Sequence, residues 1–446
     1  MKTGGPVTAT NTDRQRVLLL GGYGLIGSAC LRSLRAAGHD VTAMGRSGRA
    51  ARAAAPDIRW VLGDLTAVSE AEWAGLVAGC DVVVNAAGAL QDGARDRLEG
   101  IHVQMIDRLT RAVESAAHPV RLIQISAAGV SEDASTRFFR TKARGDALVR
   151  ARLTDWMILR PTLVLSPNAY GGTALLRAAA ALPGIVPVVF PDSRVQTVHV
   201  DDVARAVCLC VEGRIAPGTC ADLTETESRS LPDLICALRA WLGVRPARWM
   251  LQVPGWALRV TGRVADGLGL LGWRAPLRTT ALAALADGVT GTPDAWRRAG
   301  GHRCRTLDET LRDLPATAQE RLFARAFFLL PLAIGVLSVF WLLSGMIALV
   351  KPSAAMSVLT NRDAGMTLAA LLVYGGAVAD IALGLAILVR RWVRTAAWGM
   401  VTLSLGYVGG SVLVAPDLWA DPLGPMVKVL PAMGLAALVA LLFDSR

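Results

Sequence analysis

The residues of this chain best suited to chemistry are three glycines set where a strand gives way to a helix. Val17-Leu18-Leu19-Leu20 leads directly into Gly21-Gly22-Tyr23-Gly24-Leu25-Ile26-Gly27. Gly22, Gly24 and Gly27 satisfy G-x-G-x-x-G, and Gly21, Gly24 and Gly27 satisfy G-x-x-G-x-x-G. Such spacing allows a tight turn and lets backbone N–H groups approach a pyrophosphate at a helix N-terminus. The spacing predicts a helix over 28–37 that stops at Gly38, then a strand over 40–44. A glycine turn held between a strand and a capped helix points to a dinucleotide.

The end of the second strand bears on which dinucleotide. An Asp or Glu there bonds the ribose hydroxyls of NAD, whereas this chain reads Gly45-Arg46-Ser47 with Arg49 and Arg52 following. A guanidinium suits a 2′-phosphate, so Arg46 favours NADP, with NAD left open. Further strand ends supply polar or small residues. Asp64-Leu65 follows a strand over 60–63 and places a carboxylate within reach of an adenine amino group. Asn85-Ala86-Ala87-Gly88 offers small residues against which a cofactor can lie, Ser126 follows a strand over 121–125, and Arg160-Pro161 follows one over 156–159. Strands alternating with helical segments predict an α/β fold with a doubly wound parallel sheet.

In this order, the motifs resemble the atypical and extended short-chain dehydrogenase/reductase superfamily over residues 16–315, and also the short-chain-like accessory subunit of respiratory complex I. The matching residues are the glycine turn, Gly63-Asp64-Leu65, Asn85-Ala86-Ala87-Gly88, Ser126, Lys142, Arg160-Pro161 and His199-Val200-Asp201-Asp202-Val203. The resemblance implies a Tyr-x-x-x-Lys pair on one helix face, the phenol acting as general acid/base beside the Lys ammonium. Here the segment is Phe138-Phe139-Arg140-Thr141-Lys142. Lys142 fits, but Phe138 stands where the acid belongs, and Phe has no proton to give. Lys142 is then expected to hold the cofactor, and Ser126 to polarise a carbonyl or simply make a turn. Tyr170, on a loop that faces substrate in the family, is an alternative acid. Asp201 and Asp202 match a helix-start motif that capping accounts for.

These residues need a large scaffold, and the chain has one. At 446 residues it is long enough for two to three domains, and its hydrophobic content of 53% is high for a protein bathed in water. A net charge of +11 comes from dispersed arginines rather than a compact basic run, which argues for anionic lipid and against nucleic acid. Seven cysteines without CxxC and five scattered histidines give no metal-ligand spacing, so no metal is expected and the thiols read as reduced and cytosolic. A polar start without an apolar h-region predicts a nucleotide domain on the cytoplasmic side.

The expected order is a flexible tail over 1–15, a nucleotide domain over 16–225, a helical lobe over 226–322 and a membrane domain over 323–446. The lobe is rich in Trp and Arg, and its 255–271 segment fits either a headgroup surface or a substrate cover with Trp in its core. Four spans are predicted: Phe327–Val350, Thr367–Val389, Ala396–Val414 and Val429–Phe443. Arg321, Arg325, Arg390, Arg391 and Arg394 lie on one side of them, which places both termini in the cytoplasm of a cell with these spans in its inner membrane. Trp341-Leu342-Leu343-Ser344-Gly345 and Asp421-Pro422-Leu423-Gly424-Pro425 resemble the DoxX-like four-helix membrane family, which implies a link to quinone or electron-transfer proteins. Asp380, inside the second span, is a functional candidate by its position, or else a structural hydrogen-bonding group. The leading expectation is an NADP-binding oxidoreductase acting on an apolar carbonyl or quinone-type substrate. The alternative is a non-catalytic nucleotide module that stabilises a respiratory or quinone-synthesis assembly through a membrane protein partner.

Overall fold

The computed structural model describes residues 14–93, 97–273, 277–422 and 424–443. The expected tail over 1–15 lies almost wholly outside them, as does Leu423 of the second DoxX-like segment. Two compact units are present: Met1–Val264 with Pro276–Ala324, and Ala265–Ala275 with Arg325–Arg446.

The first unit is organised by seven strands: β1 Arg16–Leu20, β2 Asp40–Gly45, β3 Arg59–Leu62, β4 Val82–Asn85, β5 Arg121–Ile125, β6 Trp156–Pro161 and β7 Thr219–Leu223. All neighbours are parallel, in the order β7-β6-β5-β4-β1-β2-β3. The chain starts at β1, builds outward through β2 and β3, then returns to β4 on the other side of β1. That reversal opens a crevice beyond the carboxyl ends of β1 and β4, the usual ligand position in a doubly wound sheet. Along β1 the apolar residues alternate between two cores. Val17 and Leu19 join the core that includes Leu34, Val203 and Val207, while Leu18 and Leu20 join the one that includes Trp73, Ile106 and Leu109. Helices therefore cover both faces, as an all-parallel sheet requires.

Helix α1 (Leu25–Ala36) begins three residues earlier than the sequence pattern suggests and ends as expected before Gly38, whose φ of +87° favours glycine. Helices α2 (Gly48–Ala54), α3 (Glu70–Ala78) and α4 (Met105–Glu114) follow in turn, α4 entered through a π-helical turn at Gly100–Gln104. Next come α5 (Arg137–Arg152) and α6 (Val200–Val211). At the start of α6 the cap is His199, whose Nδ1 accepts from the Asp201 N–H at 3.1 Å, so the aspartates are not the capping groups. Asp202 instead accepts from the Arg305 N–H at 2.8 Å and ties a later segment to the sheet domain.

Beyond β7, Leu231–Trp241 forms α7, which packs with Leu307 and Leu314 into a separate aliphatic core. Trp249 and Trp256 take no part in it; they are 70% and 64% exposed.

The second unit is helical. Ala318–Val350 (α8), Met366–Ala386 (α9) and Arg390–Val414 (α10, with a 3-10 first turn) are long and apolar enough to cross a membrane. The fourth expected span is matched in extent by Val429–Leu442 (α11), but its 14 residues fall below the membrane-length helices. At 1.5 Å per residue it is about 21 Å long, short of a hydrocarbon core of about 30 Å. Its apolar composition fits packing, with Ala436, Val439 and Ala440 fully buried against Val393 and Met400.

Candidate functional site

The glycine turn is built by close approach. Gly21 has φ of +76°, and the Gly24 N–H donates to its carbonyl at 2.9 Å. A Cβ at Gly27 would stand 2.1 Å from that same carbonyl oxygen, so the third glycine seats α1 on the turn. A Cβ at Gly21 would lie 3.0 Å from the Ala87 backbone N, which brings the turn against Asn85-Ala86-Ala87-Gly88. Asn85 is buried, donating to Gln124 at 2.8 Å and accepting from the Ala87 N–H at 3.1 Å, and so shapes that strand end. The Ala86 N–H donates to the Leu20 carbonyl at 3.1 Å. Gly21, Gly22, Gly24, Ala86, Ala87 and Gly88 thus converge at the crevice. Leu25 and Ile26 open α1, and Ile26 packs partly against the sheet core.

Tyr23 lies across the end of β2. A Cβ at Gly45 would stand 2.2 Å from its ring, and its ring centroid is 6.0 Å from that of Trp60. Its phenol oxygen accepts from the N–H groups of Arg46 and Ser47 at 2.8 and 3.1 Å. Arg46 itself is exposed. Asp64 closes its own turn, Oδ1 accepting from Thr66 N–H and Oγ1 at 2.9 and 2.8 Å, and Leu65 is buried behind it.

The other strand ends hold a buried polar cluster. Lys142, one turn along α5 from Phe138, donates from Nζ to the Ile125 carbonyl at 3.0 Å, and its ammonium lies 5.8 Å from the Phe138 ring centroid. Burial pulls the Lys142 pKa down to about 8, against the opposing attraction of Asp146. Ser126 is turned inward, donating to Asp146 Oδ2 at 2.7 Å. Burial raises the Asp146 pKa despite that bond, and Arg160 approaches the same oxygen at 3.5 Å. Pro161 ends β6 and accepts from the Ala128 N–H at 3.0 Å. Tyr170 stands 64% exposed just before the helix Gly171–Ala180.

Two residues of this cluster carry no sequence signal. Asp146 reads as an ordinary helix carboxylate, four residues after Lys142. His102 sits in the π-helical turn, accepting at Nε2 from the Ala89 N–H at 3.3 Å and bonding Thr141 Oγ1 through Nδ1 at 3.0 Å. Because Thr141 already donates to the Phe138 carbonyl at 3.1 Å, the proton between them belongs to Nδ1. Burial and the nearby Lys142 push His102 down to about 2, so it is neutral at any physiological pH. Its ring stacks edge-on to Phe138, centroids 5.6 Å apart, and a Cβ at Gly88 would meet His102 Nε2 at 3.4 Å and Lys142 Nζ at 3.9 Å. Gly88, His102, Phe138 and Lys142 therefore share one place.

In the second unit two helices bring polar groups to Asp380 on α9. Ser344 on α8 donates to one carboxylate oxygen at 2.7 Å, and Tyr407 on α10 donates to the other at 2.8 Å. Glycines make the approach possible: a Cβ at Gly376 would meet the Tyr407 hydroxyl at 2.9 Å, and one at Gly345 the Ala377 carbonyl at 2.6 Å.

A parallel sheet with a glycine turn at its switch point defines a nucleotide-binding domain. Residues 21–212 match the NAD(P)H-binding family and residues 338–437 the DoxX-like family. The chain thus joins a Rossmann-type domain that matches the NAD(P)H-binding family to a DoxX-like domain with three membrane-length helices. It is 31% identical to the ceramide reductase of Caulobacter vibrioides over 137 residues, 30% of this chain and 42% of that protein. It is 30% identical to the mitochondrial NADH-ubiquinone oxidoreductase 40 kDa subunit of Neurospora crassa over 128 residues, 28% of this chain and 32% of that protein. The matches therefore span less than half the length of either relative. Among solved structures, the Bordetella bronchiseptica enzyme WbmH, in complex with NAD+, superposes with a TM-score of 0.51 at 16% identity, over 67% of this chain and 97% of its own. MoeE5, in complex with UDP-glucose and NAD, gives 0.51 at 18% identity over 70% and 99%. These two share the fold of the first unit.

Proposed function

We propose that the protein is a membrane-anchored, NADP-preferring oxidoreductase acting on an apolar, membrane-resident carbonyl or quinone-type substrate. The observation that carries this reading is the pairing, in one chain, of a Rossmann domain with three helices of bilayer length. A bound nicotinamide would supply hydride. Lys142, held on the Ile125 carbonyl, would position its ribose, and His102 and Phe138 would wall the site beside it. Quinones take up hydride with little help from a protein acid, which suits a site with Phe138 in the acid's place. The likeness to a ceramide reductase supports a lipid-derived carbonyl as the other substrate class.

The first unit supports contact with lipid as well. Trp249, Met250 and Leu251 are exposed along a strand, and Trp256, Val260 and Val264 are exposed at one-turn intervals on the helix Gly255–Leu270. Arg245, Arg248, Arg259 and Arg263 lie exposed among them, the pattern of an interfacial surface that meets anionic headgroups. The arginines at 390, 391 and 394 favour a cytoplasmic position for their segment, which would keep the nucleotide domain in the cytoplasm of a cell whose inner membrane holds the helices.

A second reading, an NADP-binding module that stabilises a respiratory or quinone-synthesis assembly, is favoured by Ser126. Its hydroxyl is engaged by Asp146 rather than offered to a carbonyl. Purified protein in liposomes, given NADPH with a soluble quinone or a long-chain aldehyde, separates the two. Oxidation that depends on the acceptor supports the enzyme, and tight binding without oxidation supports the module.

A further inference from the structure

We propose that Tyr23 is the specificity-determining residue of the adenosine subsite, its phenol O–H donated to a 2′-phosphate. The inference rests on the NADP reading above and names the residue that acts there. In a fold of this kind the end of the second strand is where the ribose 2′ position lies, and an acidic side chain there accepts from the 2′-hydroxyl of NAD. This chain has Gly45-Arg46-Ser47 at that place, and the group that fills it is the Tyr23 phenol.

The ring is seated by its surroundings. Gly45 leaves room that any Cβ would take, and Trp60 packs at 6.0 Å. The two N–H groups then hold the oxygen from below. A phenol has one hydrogen and two acceptor positions. The Arg46 and Ser47 N–H groups occupy the acceptor positions, so what Tyr23 offers a ligand is its hydrogen. Ser47 Oγ already accepts one bond, from the Ala50 N–H at 3.2 Å. A phenol left only its hydrogen pairs poorly with a ribose hydroxyl that seeks an acceptor, and well with a phosphomonoester, which has acceptor oxygens and negative charge. The two backbone N–H bonds also polarise the phenol toward donation, as chains of hydrogen bonds do.

Titrating full-length wild type and Tyr23→Phe with NADPH and NADH, by nucleotide fluorescence in detergent, tests this. Wild type should prefer NADPH. Tyr23→Phe should lose about tenfold in NADPH affinity, as for one hydrogen bond to a charged group, while NADH affinity changes less than about twofold. A purely structural role for the phenol would weaken both cofactors together, and that result overturns the proposal. So does a gain in NADPH affinity, which would mean that the phenol blocks the phosphate from the two amides. Should Tyr23→Phe fail to fold, competition on wild type and Tyr23→His together decides. Adenosine 2′,5′-bisphosphate must displace NADPH at lower concentration than 5′-AMP, and Tyr23→His, which keeps a donor, must preserve that order. Loss of the order in a folded Tyr23→His contradicts the phenol's role. Equal wild-type affinity for NADPH and NADH would instead defeat the NADP reading itself, and the inference with it.

Discussion

The two ends of the crevice in the Rossmann domain have been treated differently. At the glycine-turn end the glycines have visible purposes: Gly21 for its positive φ, Gly27 for its contact with the Gly21 carbonyl, and beside them Gly45 for the Tyr23 ring. At the nicotinamide end the same scaffold holds Lys142 in place, yet the position of the acid is filled by Phe138 and the hydroxyl of Ser126 is bound to Asp146. One end presents the close-packed glycine turn; the other presents a buried ammonium with no phenol one turn before it. The features suited to binding and to proton transfer are thus separable in this fold.

The largest expected effect breaks the binding end. Gly27→Ala places a methyl 2.1 Å from the Gly21 carbonyl, so the turn or α1 must move. Nucleotide affinity should fall by more than about 100-fold, since the backbone donors of the turn lose their aim, and fluorescence titration would register it. A variant that binds normally would mean that α1 can retreat without disturbing the turn.

The next effect concerns the buried ammonium. The folded-state pKa of Lys142 is lowered to about 8 from an ordinary 10.5, so between those values the unfolded chain binds more protons. Stability should therefore rise with pH from about 8 to about 10.5, by roughly 3 kcal/mol for this group, and be flat below that window. The difference in thermal midpoint between wild type and Lys142→Met, followed from pH 7 to pH 10 without nucleotide, measures it. An unchanged difference would place the ammonium in contact with water.

Phe138→Tyr sharpens the comparison at the chemical end. A positioned acid is worth about 10²–10⁴-fold, but Ser126 is engaged elsewhere, so carbonyl reduction should gain only about tenfold. Adding Asp146→Ala, which removes the acceptor that holds the Ser126 hydroxyl, should raise that gain further; no gain from either change argues that the site never contacts a carbonyl.

The smallest effect lies in the membrane unit. Asp380→Ala removes two hydrogen bonds between helices, each worth about 0.6 kcal/mol in measured cases, so thermal stability in detergent should fall by about 1 kcal/mol. A larger loss of quinone-dependent turnover than of stability would make Asp380 more than a clamp.

Much of this was legible in the sequence. The glycine turn, the strand ends and the Phe138–Lys142 spacing are local patterns, and each landed within a few residues of its structural position. What was not legible is tertiary. His102 reaches Thr141 across 39 residues, and the phenol of Tyr23 reaches the Arg46 N–H across 23, and nothing in either neighbourhood announces the partner. Trp256, Val260 and Val264 could be placed on one helix face, but not in solvent or in a core, because periodicity does not say what a face meets. Val429–Phe443 was apolar enough to suggest a span, and the helix there matches those bounds to within one residue, but 14 residues fall short of a bilayer crossing.

The central claim, that a binding end still serves a redox reaction, is tested most directly by single-turnover oxidation of NADPH in proteoliposomes. With a short-chain quinone added, wild type should convert the bound NADPH, and Lys142→Ala should slow that conversion by at least about tenfold, through weaker positioning of the ribose. NADPH that stays bound and reduced with quinones and long-chain aldehydes alike would contradict the account.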